Sequence, residues 1–204
     1  MNSYKQQASL LPFISLSIIL GAAFFFYQLA WNGTLHFDDA ANLDGLYGVS
    51  DLSSALGFAF SGEAGPTGRP IARMSFSLQH ESWPDPQPFL MINTLLHIVN
   101  AVLVFCLLSL ILRSFVNVRS TNWIAFVASA LWVSSPFLAP ASLVVVQRMT
   151  GMSALFVLAT LIVYLLFRTH YKKSIGSDRV LAGIFGLGGL AAGLSKENGF
   201  LIPV

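Results

Sequence analysis

Five uncharged, mostly apolar windows, at about 10–31, 89–112, 123–147, 149–167 and 180–195, decide what this chain can fold into. A helix needs roughly 17–25 such residues to cross a bilayer, so the pattern predicts an all-α polytopic membrane protein with about five transmembrane helices. Composition agrees: the 204 residues are 55% hydrophobic and 10% charged, too little polar material to coat a soluble globule of that size. In the third window Ser134-Ser135-Pro136 and Pro140 interrupt the apolar run, predicting a helix from 123 to about 135 followed by irregular or re-entrant chain. In the first, Gly21-Ala22-Ala23 resembles a cleavage site, but Phe24-Phe25-Phe26 carries the apolar stretch past it, so the window reads as an uncleaved anchor. A formal charge of +2 supplies no basic field for nucleic acid. The single cysteine, Cys106, excludes both an internal disulfide and a cysteine-based metal site.

The charges are best read by side of membrane. With the N-terminus in the cytoplasm, segments 1–9, 113–122 and 168–179 hold Lys5, Arg113, Arg119, Arg168, Lys172, Lys173 and Arg179, seven of the eleven bases. Segment 32–88 then faces outward with seven acids (Asp38, Asp39, Asp44, Asp51, Glu63, Glu81, Asp85) and two bases (Arg69, Arg73). That segment is too long for a plain connector, and its spaced apolar residues from Leu43 to Phe60 predict short amphipathic helices lying on the membrane surface. The chain divides into a first span (1–31), an extracytoplasmic loop (32–88) and the remaining spans (89–204). The final residues 199–204 read as the start of a sixth span, which predicts a C-terminal truncation.

Several residues converge on the extracytoplasmic face. Asp38-Asp39 follows the first span closely; paired carboxylates act as a general base or hold a divalent cation, while an aspartate before Ala40-Ala41-Asn42 also serves as an ordinary helix cap. Asn93, His97 and Asn100 stand at i, i+4 and i+7 on one helical stripe, suited either to interhelical hydrogen bonding or to facing a site. Arg69, Arg73, Arg148 and Lys196, the last beside Glu197, each snorkel to headgroups or together recognise a phosphate-bearing ligand. Gly189-x-x-x-Gly193 reads as close helix packing rather than a phosphate loop, since no GKS or GKT follows. Asn32-Gly33-Thr34 is a glycosylation sequon that matters only in a eukaryotic host.

Taken in order, Phe37-Asp38-Asp39, Arg69-Pro70 with Ser75-Phe76, Asn93-x-x-Leu96-His97, Pro136 with Arg148 twelve residues on, Ser153-Ala154-Leu155-Phe156 and Leu194-Ser195-Lys196-Glu197 resemble the N-terminal membrane module of the transmembrane and tetratricopeptide-repeat O-mannosyltransferases and their bacterial relatives, which are GT-C glycosyltransferases. The resemblance implies an enzyme that transfers a sugar from a polyprenyl-phosphate donor in the membrane to a protein or glycan acceptor, including Ser/Thr hydroxyls, on the lumenal or periplasmic face. It implies catalytic duty for Asp38 or Asp39, with a divalent cation as the cofactor the pair would hold. Arg69, Arg73, Arg148 and Lys196 are then the donor-phosphate ligands, with Asn93, His97 and Glu197 facing the site. The setting is a bacterial inner membrane, or the endoplasmic reticulum in a eukaryote. Two departures stand out: Ser135-Pro136 replaces a frequent His-Pro, with Pro140 where a glutamate often stands, and Thr150 occupies the place of an acid. The tetratricopeptide repeats and later spans of that family are not among these residues. A secondary transporter and a catalytically inactive membrane scaffold are the alternatives; the first would place ionisable groups near the bilayer midplane in two related halves.

Overall fold

The computed structural model describes residues 2–62, 64–113, 115–170 and 175–202. Glu63, Lys172, Lys173 and the terminal Pro203-Val204 lie outside them. The fold is all-helical: α1 (Asn2–Gln28), α2 (Phe37–Leu43), α3 (Leu52–Phe60), α4 (Pro70–Ser77), α5 (Pro86–Leu112), α6 (Val118–Val133), α7 (Pro140–Leu143), α8 (Arg148–His170) and α9 (Ile175–Gly193), joined by 3-10 turns at Asp44–Gly48, His80–Ser82, Val145–Gln147 and Glu197–Leu201.

Four stretches, Leu10–Gln28, Pro86–Leu112, Val145–His170 and Ile175–Gly193, are long and apolar enough to cross a membrane. The third window differs from the expectation. Its helix, α6, begins earlier, at Val118, where Asn117 caps it by accepting the Ser120 N–H. It stops at Val133 because Pro136 and Pro140 cannot supply helical N–H groups, so its apolar length is only Ser120–Val133. The stretch read as a sixth span forms the Glu197–Leu201 turn as far as it is described.

α5 is the central post, packing on α1, α6 and α8, while α9 packs on α8. Its inward face carries Asn93, Thr94, His97, Asn100 and Ala101, and apolar residues such as Ile18, Phe26 and Leu187 stay exposed on the outside of the bundle, as lipid-facing positions do. At one end α2, α3 and α4 fold over the helix termini. Their core of Leu43, Leu46, Phe58, Ala72 and Phe76 merges with Phe89 and Leu90 of α5 and with Val145, Val146 and Met149 at the start of α8. The Ile71 N–H also donates to the Leu194 carbonyl just past α9. Segment 32–88 is therefore a folded cap fastened to the spans. The outer face of α3 leaves Leu52, Leu56 and Phe60 exposed at i, i+4 and i+8, with no charged residue on that helix.

The glycines of α9 are not equivalent. A Cβ at Gly188 would strike the Thr160 side chain of α8, whereas at Gly189 it would meet nothing within 4 Å. The close α8–α9 approach that the GxxxG spacing suggested thus uses Gly188. Gly188→Val should destabilise the protein by about 1–3 kcal/mol through overpacking, while Gly189→Ala should be neutral or gain up to about 1 kcal/mol of helix propensity. Thermal unfolding in detergent separates the two; equal sensitivity would refute this packing.

Candidate functional site

Consecutive residues on a helix point about 100° apart, and α2 uses that to split the acidic pair. Asp38 is exposed and Asp39 is fully buried. Asp39 Oδ2 accepts the His36 N–H at 2.8 Å, the reciprocal bond of a capping box. Its Oδ1 accepts the Val146 N–H at 2.7 Å, across 107 residues of sequence. His36, not either aspartate, is the cap residue. A buried carboxylate with both oxygens engaged does not chelate a cation together with an exposed neighbour, and among the described residues no group of three or more His, Cys, Asp or Glu side chains could hold a metal ion. The pair therefore does not fit a shared divalent cation.

The seven-residue segment 144–150 is where most of the candidate residues meet. Asn93 Nδ2 donates to the carbonyls of Val144 (2.9 Å) and Val145 (3.1 Å), and its Oδ1 accepts from Arg148 Nε at 2.9 Å. Arg148 is 1% exposed; its Nη1 and Nη2 donate to the carbonyls of Ser75 (3.1 Å) and Phe89 (3.2 Å), and the guanidinium lies over the rings of Phe76 and Phe89. Lys196 Nζ donates to Thr150 Oγ1 at 2.6 Å and to Gln147 Oε1 at 3.4 Å. Arg69 donates to Met149 Sδ and holds Glu197 by both carboxylate oxygens, Nε at 3.1 Å to each and Nη2 to Oε2 at 2.9 Å.

Only part of this cluster reaches the surface. Arg69, Lys196, Glu197, Gln147 and Thr150 are partly exposed, whereas Asp39, Asn93 and Arg148 lie behind them. Arg69 sits at φ 48°, the one non-glycine residue with positive φ among those described; such a backbone costs of order 1–3 kcal/mol, offset here by the bidentate Glu197 contact. Gly65, itself at φ 71°, leaves room for that pair, since a Cβ there would approach Glu197 Oε1 to 2.6 Å. Burial pushes the Glu197 carboxyl up, but hydrogen bonds from Arg69, its own backbone N–H and Thr67, together with the Arg69 charge, outweigh it and hold the group at about 2. Burial, then the nearby Arg69 charge, pull the Lys196 ammonium below its usual range, against the opposing pull of Glu197. Three formal positive charges (Arg69, Arg148, Lys196) gather here with Asp39 and Glu197, and the exposed Asp38 next to Asp39 balances the third; Glu197 is spent on Arg69, which leaves Lys196 held by the neutral groups of Thr150 and Gln147.

Two candidates stand elsewhere. Arg73 is buried inside the cap, with Nε donating to the Phe58 carbonyl at 2.9 Å and its guanidinium 4.0 Å from that ring's centre. His97 stacks on Trp132, and its Nε2 meets the Val133 carbonyl at 3.2 Å, an oxygen that Tyr27 also reaches. Beyond Val133 an apolar groove of about 410 Å³ runs between α1 and the broken chain after α6, lined by Ala22, Ala23, Phe26 and Tyr27 on one side and Val133, Ser134 and Leu143 on the other. The small residues that imitated a cleavage site create this groove.

Sequence reading overlooked Gln147 and Thr150. In the sequence Thr150 stands out only as the place of a missing acid. With a hydroxyl there, Lys196 gains a hydrogen bond without losing its charge.

Two measurements check this site. Asp39→Asn should destabilise the protein by about 1–3 kcal/mol, since an amide NH₂ would confront one of two buried N–H donors, while Asp38→Asn leaves stability unchanged; equal effects would contradict the division of the pair. For Glu197 the folded carboxyl titrates near 2 against an ordinary 4.5. The unfolded chain therefore binds the proton first, so the group's contribution to stability is full above about pH 4.5 and declines as pH falls toward about 2. The melting-temperature gap between wild type and Glu197→Gln should narrow in that interval; a gap independent of pH would count against the Arg69 pairing. Comparison of the chain with family models, curated proteins and solved structures returned no match, so its function is argued from these residues.

Proposed function

We propose that the chain is a membrane glycosyltransferase module of GT-C type that uses a polyprenyl-phosphate sugar donor, with the capped end of the bundle outside the cytoplasm. The observation that carries this reading is the course of residues 143–150. Leu143 forms the lip of the apolar groove, and only four residues later Gln147 contacts the half-exposed Lys196. An extended chain covers at most about 14 Å over four residues. An apolar trough and a partly exposed ammonium held only by neutral partners, that close together, suit an amphiphile with a long hydrocarbon tail and an anionic head. A phosphate-linked lipid has that form, and the membrane delivers it sideways into the groove.

The residues have distinct work in this scheme. Lys196 and Arg69, the accessible cations, contact the donor phosphate, while Arg148 and Arg73, buried, contribute charge and hold the frame. Asp38, the exposed carboxylate, takes the proton from the acceptor hydroxyl as its oxygen bonds to the anomeric carbon. The sugar–phosphate C–O bond breaks, its electron pair leaves on the phosphate, and the cations stabilise the growing charge. Asp39 acts as a positioning residue. The orientation rests on the sequence, in which seven of the eleven bases fall in segments 1–9, 113–122 and 168–179.

The test is sugar release from a polyprenyl-phosphate donor by normally expressed protein in membranes. Asp38→Asn should lower turnover about 10²–10⁴-fold with stability unchanged. Lys196→Ala and Arg69→Ala should weaken donor use, and Arg168→Ala, at the other end of α8, should do little. Wild-type turnover in Asp38→Asn would remove the base assignment. For orientation, Gly176→Cys on a Cys106→Ser background should be shielded from an impermeant thiol reagent in sealed cells; labelling from outside would reverse the topology.

A further inference from the structure

The end of the bundle away from the cap carries a charge imbalance that the candidate site does not use. α5 and α8 both start under the cap, where Phe89, Leu90 and Met149 join its core, and both run away from it. α9 returns, since the Leu194 carbonyl just past it meets Ile71 of the cap. The short connections 113–117 and 171–174 therefore lie at the far end. With 27 residues α5 is about 40 Å long, close to the thickness of a bilayer with its headgroup layers. Residues just beyond the far helix ends thus stand at headgroup depth. In the sequence Asp178 is the only acid between Asp85 and Glu197, whereas six bases, Arg113, Arg119, Arg168, Lys172, Lys173 and Arg179, flank these two connections.

Partners within the protein account for only part of this charge. Arg113, Arg168 and Arg179 are all exposed. Arg168 Nη1 lies 3.6 Å from Asp178 Oδ1, an exposed pair of little strength. Among the described residues Arg113 and Arg179 have no carboxylate partner. Cations at the C-terminal ends of α5 and α8 complement the negative pole of a helix dipole, which gives Arg113 and Arg168 a local role. Arg179 stands in the second turn of α9, near a pole of its own sign, so the dipole does not explain it. The same connections expose Phe115 (81%) and Ile175 (75%), so cations stand beside large apolar side chains. A soluble anion would satisfy the guanidiniums and leave those apolar groups in water. We propose that this end of the bundle is a binding surface for anionic phospholipid, whose phosphates contact Arg113 and Arg179 and whose upper acyl carbons cover Phe115 and Ile175. The inference stands whether or not the chain transfers sugar, and on whichever side of the membrane this end lies.

The test places the full chain in nanodiscs of phosphatidylcholine mixed with phosphatidylglycerol and reads by native mass spectrometry which lipid stays bound on release. A basic side chain at an anionic surface is worth about fivefold in affinity. Phosphatidylglycerol should therefore be retained about threefold or more above its share of the mixture. Arg113→Gln and Arg179→Gln should each lower that enrichment and together remove most of it, while Arg179→Lys, which keeps the charge, should preserve it. The melting temperature of the wild type should rise with the phosphatidylglycerol fraction, and inorganic phosphate added to phosphatidylcholine nanodiscs should not reproduce the rise. Retention of the two lipids in proportion to their mixture would overturn the proposal and leave these bases as signals of topology only. Equal stabilisation by inorganic phosphate would overturn the lipid as the ligand. Lys196 at the capped end also attracts an anionic head, so enrichment that falls with Lys196→Ala and not with the two arginine variants would overturn the placement. Proportional retention by the wild type is decisive on its own, so failure of a variant to fold does not rescue the proposal.

Discussion

The buried guanidinium of Arg148 is the contact on which the capped end depends. It begins α8, yet its donors go to other elements: the side chain of Asn93 and the Phe89 carbonyl on α5, and the Ser75 carbonyl on α4. Three helices are thereby fixed by one side chain, and the rings of Phe76 and Phe89 cover its faces. The acceptors are all neutral, so this charge is solvated by dipoles and π-faces rather than neutralised by a carboxylate. Each acceptor left without its donor would cost about 1–3 kcal/mol. The arrangement is stable only while the cap stays closed over it, which couples the folding of segment 32–88 to that of the spans.

From this pin the rest of the site follows in order. Asn93 orients Arg148 with its oxygen and holds the preceding turn with its nitrogen, so the backbone from Val144 to Arg148 has one available path. That path presents the Val146 N–H to Asp39 and the Gln147 side chain to Lys196. Lys196 and Glu197 stand where α9 has ended, and the Arg69–Glu197 pair ties that end to the start of α4. Surface ion pairs on their own contribute little; this one is partly shielded and bidentate, and it joins parts of the chain 128 residues apart. The Arg168–Asp178 pair at the far end, at 3.6 Å and well exposed, is of the weaker kind.

How much of this was legible in the sequence differs by level. Four of the five expected spans followed from apolar length alone, while the third window yielded only the shorter α6, and the break after it followed from Pro136 and Pro140; these signals are local. The clustering of Asp39, Arg69, Asn93, Arg148 and Lys196 was visible only as a shared membrane face; which of them touch depends on the turn at 144–150, whose apolar Val144-Val145-Val146 carries no polar mark. Burial was the least legible property. Arg148 and Arg73 look like exposed ligands in a chain this poor in charge, yet both lie inside the cap, since aromatic side chains distant in sequence close over them. Gly189 fitted a motif, but helix phase gave the contact to its neighbour Gly188.

The acidic pair shows how burial of one residue gives meaning to the next. Asp39 is held at both oxygens by the His36 and Val146 N–H groups, so α2 can neither rotate about its axis nor slide without breaking a buried bond. Because Asp38 immediately precedes Asp39 at a fixed helical angle, its outward direction is set with it. Val146 adjoins Gln147, and Gln147 meets Lys196, so the exposed carboxylate and the accessible ammonium are referenced to one short stretch of backbone. An exposed carboxylate and a partly exposed ammonium that are both referenced to one stretch of backbone keep a fixed relative placement. The buried carboxylate, engaged at both oxygens, is what fixes its neighbour's position.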